Sequence, residues 1–190
     1  MAKQNKVLWG SAKMGWAPIT AGPDGKDTYG AIKMFEGTRQ INWTASGNQT
    51  QVYADGTVIF VGNQNSGYMG TLEFTILDEA FAQYALGEKA SDKKVIYEEN
   101  EANPGRFVLV WEWVQDAKNA RHVMYNCTAN RPDVSATTAG DGGSKTPQYR
   151  TLNVTAIPRA DGVVKARTYE ETDDTVYDGW FTAVHDPKAA

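Results

Sequence analysis

The sequence predicts a mostly β fold, a β-sandwich or half-barrel with one flanking α-helix at about 78–86 and long loops. Three observations predict it. Apolar and polar residues alternate with period two in segment after segment; Leu72, Phe74 and Ile76 interleave with Thr71, Glu73 and Thr75. Turn chemistry punctuates the chain at GPDGK (22–26), DG (55–56), DAKNA (116–120) and PRADG (158–162). One stretch, DEAFAQYAL, carries a helical pattern with a start signal.

The elements follow in order. Residues 7–19 read as extended, anchored by Val7, Trp9 and Trp16. Strands follow at 29–35 and 39–45. In the second, Ile41, Trp43 and Ala45 share one face while Gln40, Asn42 and Thr44 share the other. QVY (51–53) and TVIFVG (57–62) flank Asp55–Gly56, a two-residue hairpin signal. NQNSGYMG (63–70) reads as loop, and 71–76 as a strand. In 78–86, Asp78 caps the helix and Glu79 suits its positive end. Leu77, Phe81 and Tyr84 or Ala85 lie on one helix face, and Gly87 closes it.

The strongest strand is 106–115. Phe107, Leu109, Trp111 and Trp113 make its apolar inner face, opposite Val108, Val110, Glu112 and Val114. It returns as 122–129. Residues 130–148 are a long Gly-, Ser-, Thr- and Pro-rich loop. Strands at 149–157 (Leu152, Val154 and Ala156 on one face) and 163–169 follow. The acidic C-terminal segment, 170–190, keeps Val176, Tyr177, Trp180 and Phe181, which dock on the sheet or on a neighbour. The whole reads as one domain, 1–190, with an N-terminal segment (1–6) and long loops at about 46–67 and 130–148.

Composition excludes several function classes. The net charge of −4, without clustered Lys and Arg, argues against gripping nucleic acid, though not against letting it pass. The single Cys127 permits neither an internal disulfide nor a cysteine zinc site, and fits a reducing cytosol. It alternates with Val123 and Tyr125 and reads as a small buried hydrophobe. His122 and His185 lack partners at metal spacing, and His122 reads as a solvated histidine beside a turn. Glu73 and Glu112 are the only candidates for a glycosidase carboxylate pair. In WEW (111–113), alternation sends both tryptophans to the core and Glu112 to the other face. The Asp-Gly loops lack the spaced acidic ligands of a calcium loop. No catalytic residue, cofactor site or metal site is expected. The N-terminus lacks a signal peptide's apolar core, and no 18-residue apolar run predicts a membrane helix. What remains is a strand-rich chain with apolar residues in peripheral segments, a pattern suited to assembly.

The order of motifs resembles a known family. VLWGSAKMGWAPITAGPDGKDTYGAIKMFEGTRQINW is followed by QVYADG, GYMGTLEFTILD, FVLVWEW, NRPDVSATT and YRTLNVTAIPRADGVVKA, then an aromatic C-terminal segment. Over about 7–182 this resembles the major tail proteins of long-tailed, non-contractile bacteriophages (siphophages), although no single motif is specific. The resemblance implies a tail-tube type of sandwich or half-barrel. It implies hexameric rings closed by edge-to-edge strand pairing and stacked into a tube in the virion, after synthesis in the host cytoplasm. The implied partners are the protein itself, a tape-measure protein, tail terminator and initiator proteins, and phage DNA passing through the lumen without specific binding. No membrane partner is implied. Some relatives carry an additional C-terminal immunoglobulin-like domain; with the chain ending soon after Phe181, none is expected here.

On this reading, 46–67 is an extended loop or hairpin that reaches an adjacent ring or a neighbouring subunit. Its contact residues are Asn48, Gln51, Tyr53, Asp55, Asn63, Asn65 and Tyr68, joined by Trp180 and Phe181 of the C-terminal segment. The competing reading is a non-catalytic β-sandwich carbohydrate-binding or adhesin module with exposed aromatics on one sheet face. A β-sandwich hydrolase lacks its acid–base pair. Terminator and distal tail proteins form single rings and do not polymerise.

Overall fold

The computed structural model describes residues 4–22, 26–138 and 147–188. One large antiparallel sheet dominates. Its path is β2 (Asp27–Tyr29), β1 (Leu8–Ala21), β10 (Phe107–Gln115), β11 (Ala120–Ala129), β12 (Arg150–Ala156), β7 (Gly67–Phe74) and β4 (Thr38–Ser46). Short β3 (Lys33–Met34) adds to β1, and β13 (Lys165–Arg167) adds to β11 below β12. The sheet curls until β1 and β4, near its two ends, approach each other across the core. Two small ribbons stand apart from it, β5 (Gln49–Ala54) with β6 (Thr57–Asn63), and β8 (Lys89–Ala90) with β9 (Ile96–Tyr97).

The concave face holds the main core. Trp16, Phe35, Leu72, Phe74, Phe107 and Leu109 pack there around the helix. Phe81 is the hub, with edge-on contacts to Trp16, Phe35 and Phe107 at ring-centroid distances of 5.0–5.2 Å. The helix starts as predicted, with Asp78 accepting from Ala80 N. After α1 (Glu79–Phe81) it widens into a π-helix, Ala82–Leu86, closed by Gly87. The widened turn places Tyr84 to accept from Ile19 N and donate toward the Ile19 and Arg106 carbonyls.

The convex face is buried as well, by the C-terminal segment docking on the sheet, one of its two expected placements. Val108, Val110, Val123 and Tyr125 form a second core with Ala17 and Ile19, capped by Trp180. The C-terminal segment supplies the cover through α2 (Asp174–Gly179), a helix unforeseen at comparable strength, whose cap Asp173 accepts from Thr175 N and Val176 N. Two bulges distribute the side chains. Lys13 and Asn126 adopt positive φ (47° and 51°), and the register slips beside each. Cys127 is buried as expected, but the Asn126 bulge puts it with Met124 on the concave side, opposite Val123 and Tyr125.

Burial on both faces also internalises polar groups, Glu112 and His122 among them. Glu112 is 4 % exposed and accepts from Arg121 Nε at 2.9 Å and Asn119 Nδ2 at 3.1 Å. The Arg121 guanidinium stacks on Tyr177, 3.8 Å from the ring centroid, and so ties α2 to the sheet. Removing one partner of such a pair leaves a buried charge, so Glu112→Ala should cost about 3–5 kcal/mol in urea unfolding. His122 is buried too, contrary to the solvated reading. It stacks on Trp111 and abuts Trp113, with ring centroids at 5.1 and 4.2 Å. Burial, then the charges of Arg167 and Lys165, lowers its pKa from 6.5 to about 4. The folded state thus binds fewer protons than the unfolded chain between these values. Stability should fall by on the order of 3 kcal/mol as pH drops through that window, and a His122→Phe variant should lose this dependence in thermal melts across pH.

The strand at 29–35 resolves into β2 and β3, separated by three residues without strand structure. β7 begins at Gly67, inside the stretch read as loop. The strand read at 163–169 shortens to β13. The predicted 22–26 turn closes through Gly22 N to Lys26 O at 2.9 Å, while 23–25 lie outside the described residues, as do 1–3 of the N-terminal segment, 139–146 of the long loop and 189–190 of the C-terminal segment.

Candidate assembly surfaces

The predicted hairpin is an arm. β4 and β7 pair as far as Ser46 and Gly67, and the ribbon continues through Ser66 N to Ser46 O and Gln64 N to Asn48 O into β5 and β6. Asp55 and Gly56 make the two-residue turn with φ of 50° and 76°, the positive pair of a type I′ hairpin. Six-residue β5 spans about 20 Å at the usual rise. Gly67 marks where the arm leaves the sheet. Its φ is 108°, and a Cβ there would lie 2.0 Å from the Ala156 carbonyl oxygen, so any side chain would push the ribbon off β12.

The arm's surface is the anomaly. Val52, Tyr53, Val58, Ile59, Phe60 and Val61 are all exposed, Ile59 and Tyr53 to 63 % and Phe60 to 60 %. Pairing puts Tyr53 opposite Val58 and Val52 opposite Phe60, on alternate faces, so neither face is covered. An isolated two-stranded ribbon is marginal in water. Burying a large apolar side chain is worth about 1.5–3 kcal/mol, which each bare side chain of the arm leaves unrealised in the single subunit.

The predicted contact residues divide. Asn48, Gln51, Tyr53, Asp55 and Asn63 are exposed on the arm, with Gln51 accepting from the Tyr53 hydroxyl and Asn63 accepting from Gln49. Asn65 serves the arm's base by accepting from Gly67 N. Tyr68 belongs to β7 and packs against the main core beneath Lys165. Trp180 is a core residue, 3 % exposed, that donates to the His122 carbonyl oxygen, and Phe181 packs beside it half-buried. The C-terminal segment therefore docks on its own sheet. Sequence reasoning passed over Val58, Ile59, Phe60 and Val61, the arm's main apolar load, because a run of β-formers reads equally well as a buried strand.

Two further surfaces accompany the arm. The outer edge of β4 over 40–46 is unpaired among the described strands and carries neither Lys nor Pro, the usual guards of an edge. The outer edge of β1 over 8–13 is also open, beside exposed Val7, Leu8 and Trp9. The outward face of β4, β7 and β12 is almost free of charge. Register lines up Gln40, Glu73 and Thr151, then Asn42, Thr71 and Asn153, then Thr44, Met69 and Thr155. Its one carboxylate, Glu73, is bound by Arg39 at 2.7 Å.

The chemistry of a small-molecule site is thin. Among the described residues no group of three or more His, Cys, Asp or Glu side chains is placed to hold a metal ion. Trp111 is buried, Trp113 is partly buried and packs against the same core, and the sheet offers no tryptophan platform for a sugar there. Among the described residues, no helix is long and apolar enough to cross a membrane. No family model matches the chain, and no curated protein matches it.

Proposed function

We propose that this protein is the structural subunit of a phage tail tube, assembling with copies of itself into stacked, hexameric rings around a lumen that conducts DNA. The observation that carries the reading is the arm, a ribbon with six large apolar side chains exposed on both faces, attached to a subunit whose own cores are complete. A neighbouring copy is the occupant that gives the arm a constant, repeated partner.

The open edges of β1 and β4 supply lateral contacts for ring closure by strand pairing. The nearly uncharged face of β4, β7 and β12, whose one cation, Arg39, is paired with Glu73, suits the lumen wall, because a wall without unpaired cations offers phosphates little to hold. A tape-measure protein fills the lumen before DNA does, and terminator and initiator proteins bound the tube's ends. The subunit has no catalytic role in this reading.

Negative-stain electron microscopy of the purified protein across a concentration series tests it. Rings or tubes with a central hole are expected to appear with rising concentration. A protein that stays monomeric to its solubility limit and binds immobilised glycans through Tyr53, Phe60 or Trp9 would be an adhesin-type module instead.

A further inference from the structure

A third free edge belongs to β13. β12 pairs with β11 only over 127–129, and β13 takes the same place beside β11 over 122–124. β7, which follows β12 across the sheet, ends at Gly67, so no described strand lies on the outer side of β13. The short strand is nonetheless firmly held. Val164 and Thr168, 6 % and 1 % exposed, flank it. The Val164 carbonyl accepts from Tyr125 N at 2.9 Å, and Thr168 N donates to the Arg121 carbonyl at 2.8 Å. Alternate residues of a strand turn their backbone groups to opposite edges. Val164, Ala166 and Thr168 therefore turn theirs to β11, while Lys165 and Arg167 turn theirs outward, where no described group bonds them.

Two cations mark this edge. Directly paired residues share a face, so Lys165, opposite Met124, and Arg167, opposite His122, both send their side chains to the concave side. Both residues are exposed. The Lys165 ammonium rests 4.4 Å from the Tyr68 ring centroid. Neither cation enters an ion pair among the described residues. Glu170, whose carboxylate lies in the field of Arg167, already accepts from Asn5 N at 3.0 Å. From this placement we propose that β13 is the docking edge for an extended acidic segment of another protein, which adds antiparallel to it and sets carboxylates opposite Lys165 and Arg167.

Charge selects the occupant. Lysine on an edge wards off pairing with a second copy, because β13 beside β13 would oppose cations. The same charges admit a strand of opposite sign. Acidic residues two apart fit, since both then lie on one face. The chain's own sequence has that spacing twice, Glu99 with Glu101 and Glu171 with Asp173. Neither is an open strand. Glu99 binds Lys89 at 2.5 Å in a turn closed by Ala102 N on the Glu99 carbonyl, and Asp173 caps α2. The occupant is thus a different chain. Main-chain bonds to the outward amides and carbonyls of Lys165 and Arg167 hold it, and the two charges choose it. The site does not depend on ring formation.

The probe is a capped, fluorescein-labelled peptide, Thr-Val-Glu-Thr-Glu-Val-Thr, titrated with the full-length chain and read by anisotropy at concentrations that electron microscopy shows free of rings. Saturable binding is expected, and the counterpart Thr-Val-Lys-Thr-Lys-Val-Thr is expected not to bind. N-methylation of both glutamate amides removes the donors that face the edge and should weaken binding at least about fivefold. N-methylation of the central threonine, whose amide faces away, should leave it unchanged. Lys165→Glu combined with Arg167→Glu, at exposed positions, should reverse the choice, so that the variant binds the lysine peptide and rejects the glutamate one. Circular dichroism checks its fold, and the N-methylated peptides test the edge on the wild-type chain whatever the variant does. No saturable binding of the glutamate peptide, or binding indifferent to both N-methylation and the double substitution, overturns the proposal. A duplex oligonucleotide that binds in the peptide's place and needs the same two residues overturns it as well, and makes the pair a phosphate contact.

Discussion

Deleting 48–65, so that Gly47 joins Ser66, should leave a folded monomer and abolish tube growth. The monomer survives because Ser46 and Gly67 are already paired across the ribbon. The deletion leaves Gly-Ser as a two-residue connection, the sequence type of a II′ hairpin turn. The arm's own hydrogen bonds run within the ribbon, and its apolar side chains are exposed, so its loss removes little from either core. Unfolding free energy should change by no more than about 1 kcal/mol. Assembly loses all six large apolar contacts per subunit, which at about 1.5–3 kcal/mol each exceeds what a repeated contact can forgo. Circular dichroism and urea melts check the fold, and electron microscopy checks growth. Normal tubes from the deleted chain would remove the arm from the interface.

The second large effect concerns passage of DNA. Replacing Asn42, Thr71 and Asn153 by lysine puts three cations in one row across β4, β7 and β12. The row faces away from the core, whose residues on these strands are Ile41, Trp43, Leu72, Leu152 and Val154. Subunit folding should therefore change little. If this face lines the lumen, assembled variant tubes should retain duplex DNA that wild-type tubes release, and retention should fall steeply between about 50 and 200 mM salt as counterions compete. Co-sedimentation of DNA fragments with tubes over a salt series reads this directly. Equal release by variant and wild type would move the lumen to another face.

Much of the fold was legible in the residues. The alternation in 72–76, 106–115 and 149–157 located central strands, because side chains of a strand must part to two faces. Asp78 and Gly87 bounded the helix through capping chemistry. Asp55–Gly56 announced the arm's turn, since both positions need positive φ. The misses share a cause. A pattern of apolar residues tells how a strand is divided and not what each half touches. Val108 and Val110 gave no sign that a C-terminal segment covers them, and Val58 and Phe60 gave no sign that nothing does.

By itself, then, the sequence determined strand alternation, turns, the cap of the helix and the absence of clustered cations, all of which are properties of neighbours within a few residues. Tertiary structure alone decided which faces are filled. It buried His122, Glu112 and Trp180, swung Cys127 across the sheet through the Asn126 bulge, and left the arm bare at the end of the β4–β7 ribbon. The physical reason is that burial is set by contacts between residues distant in the chain, such as Trp180 on the His122 carbonyl or Arg121 on Tyr177, which local periodicity does not encode.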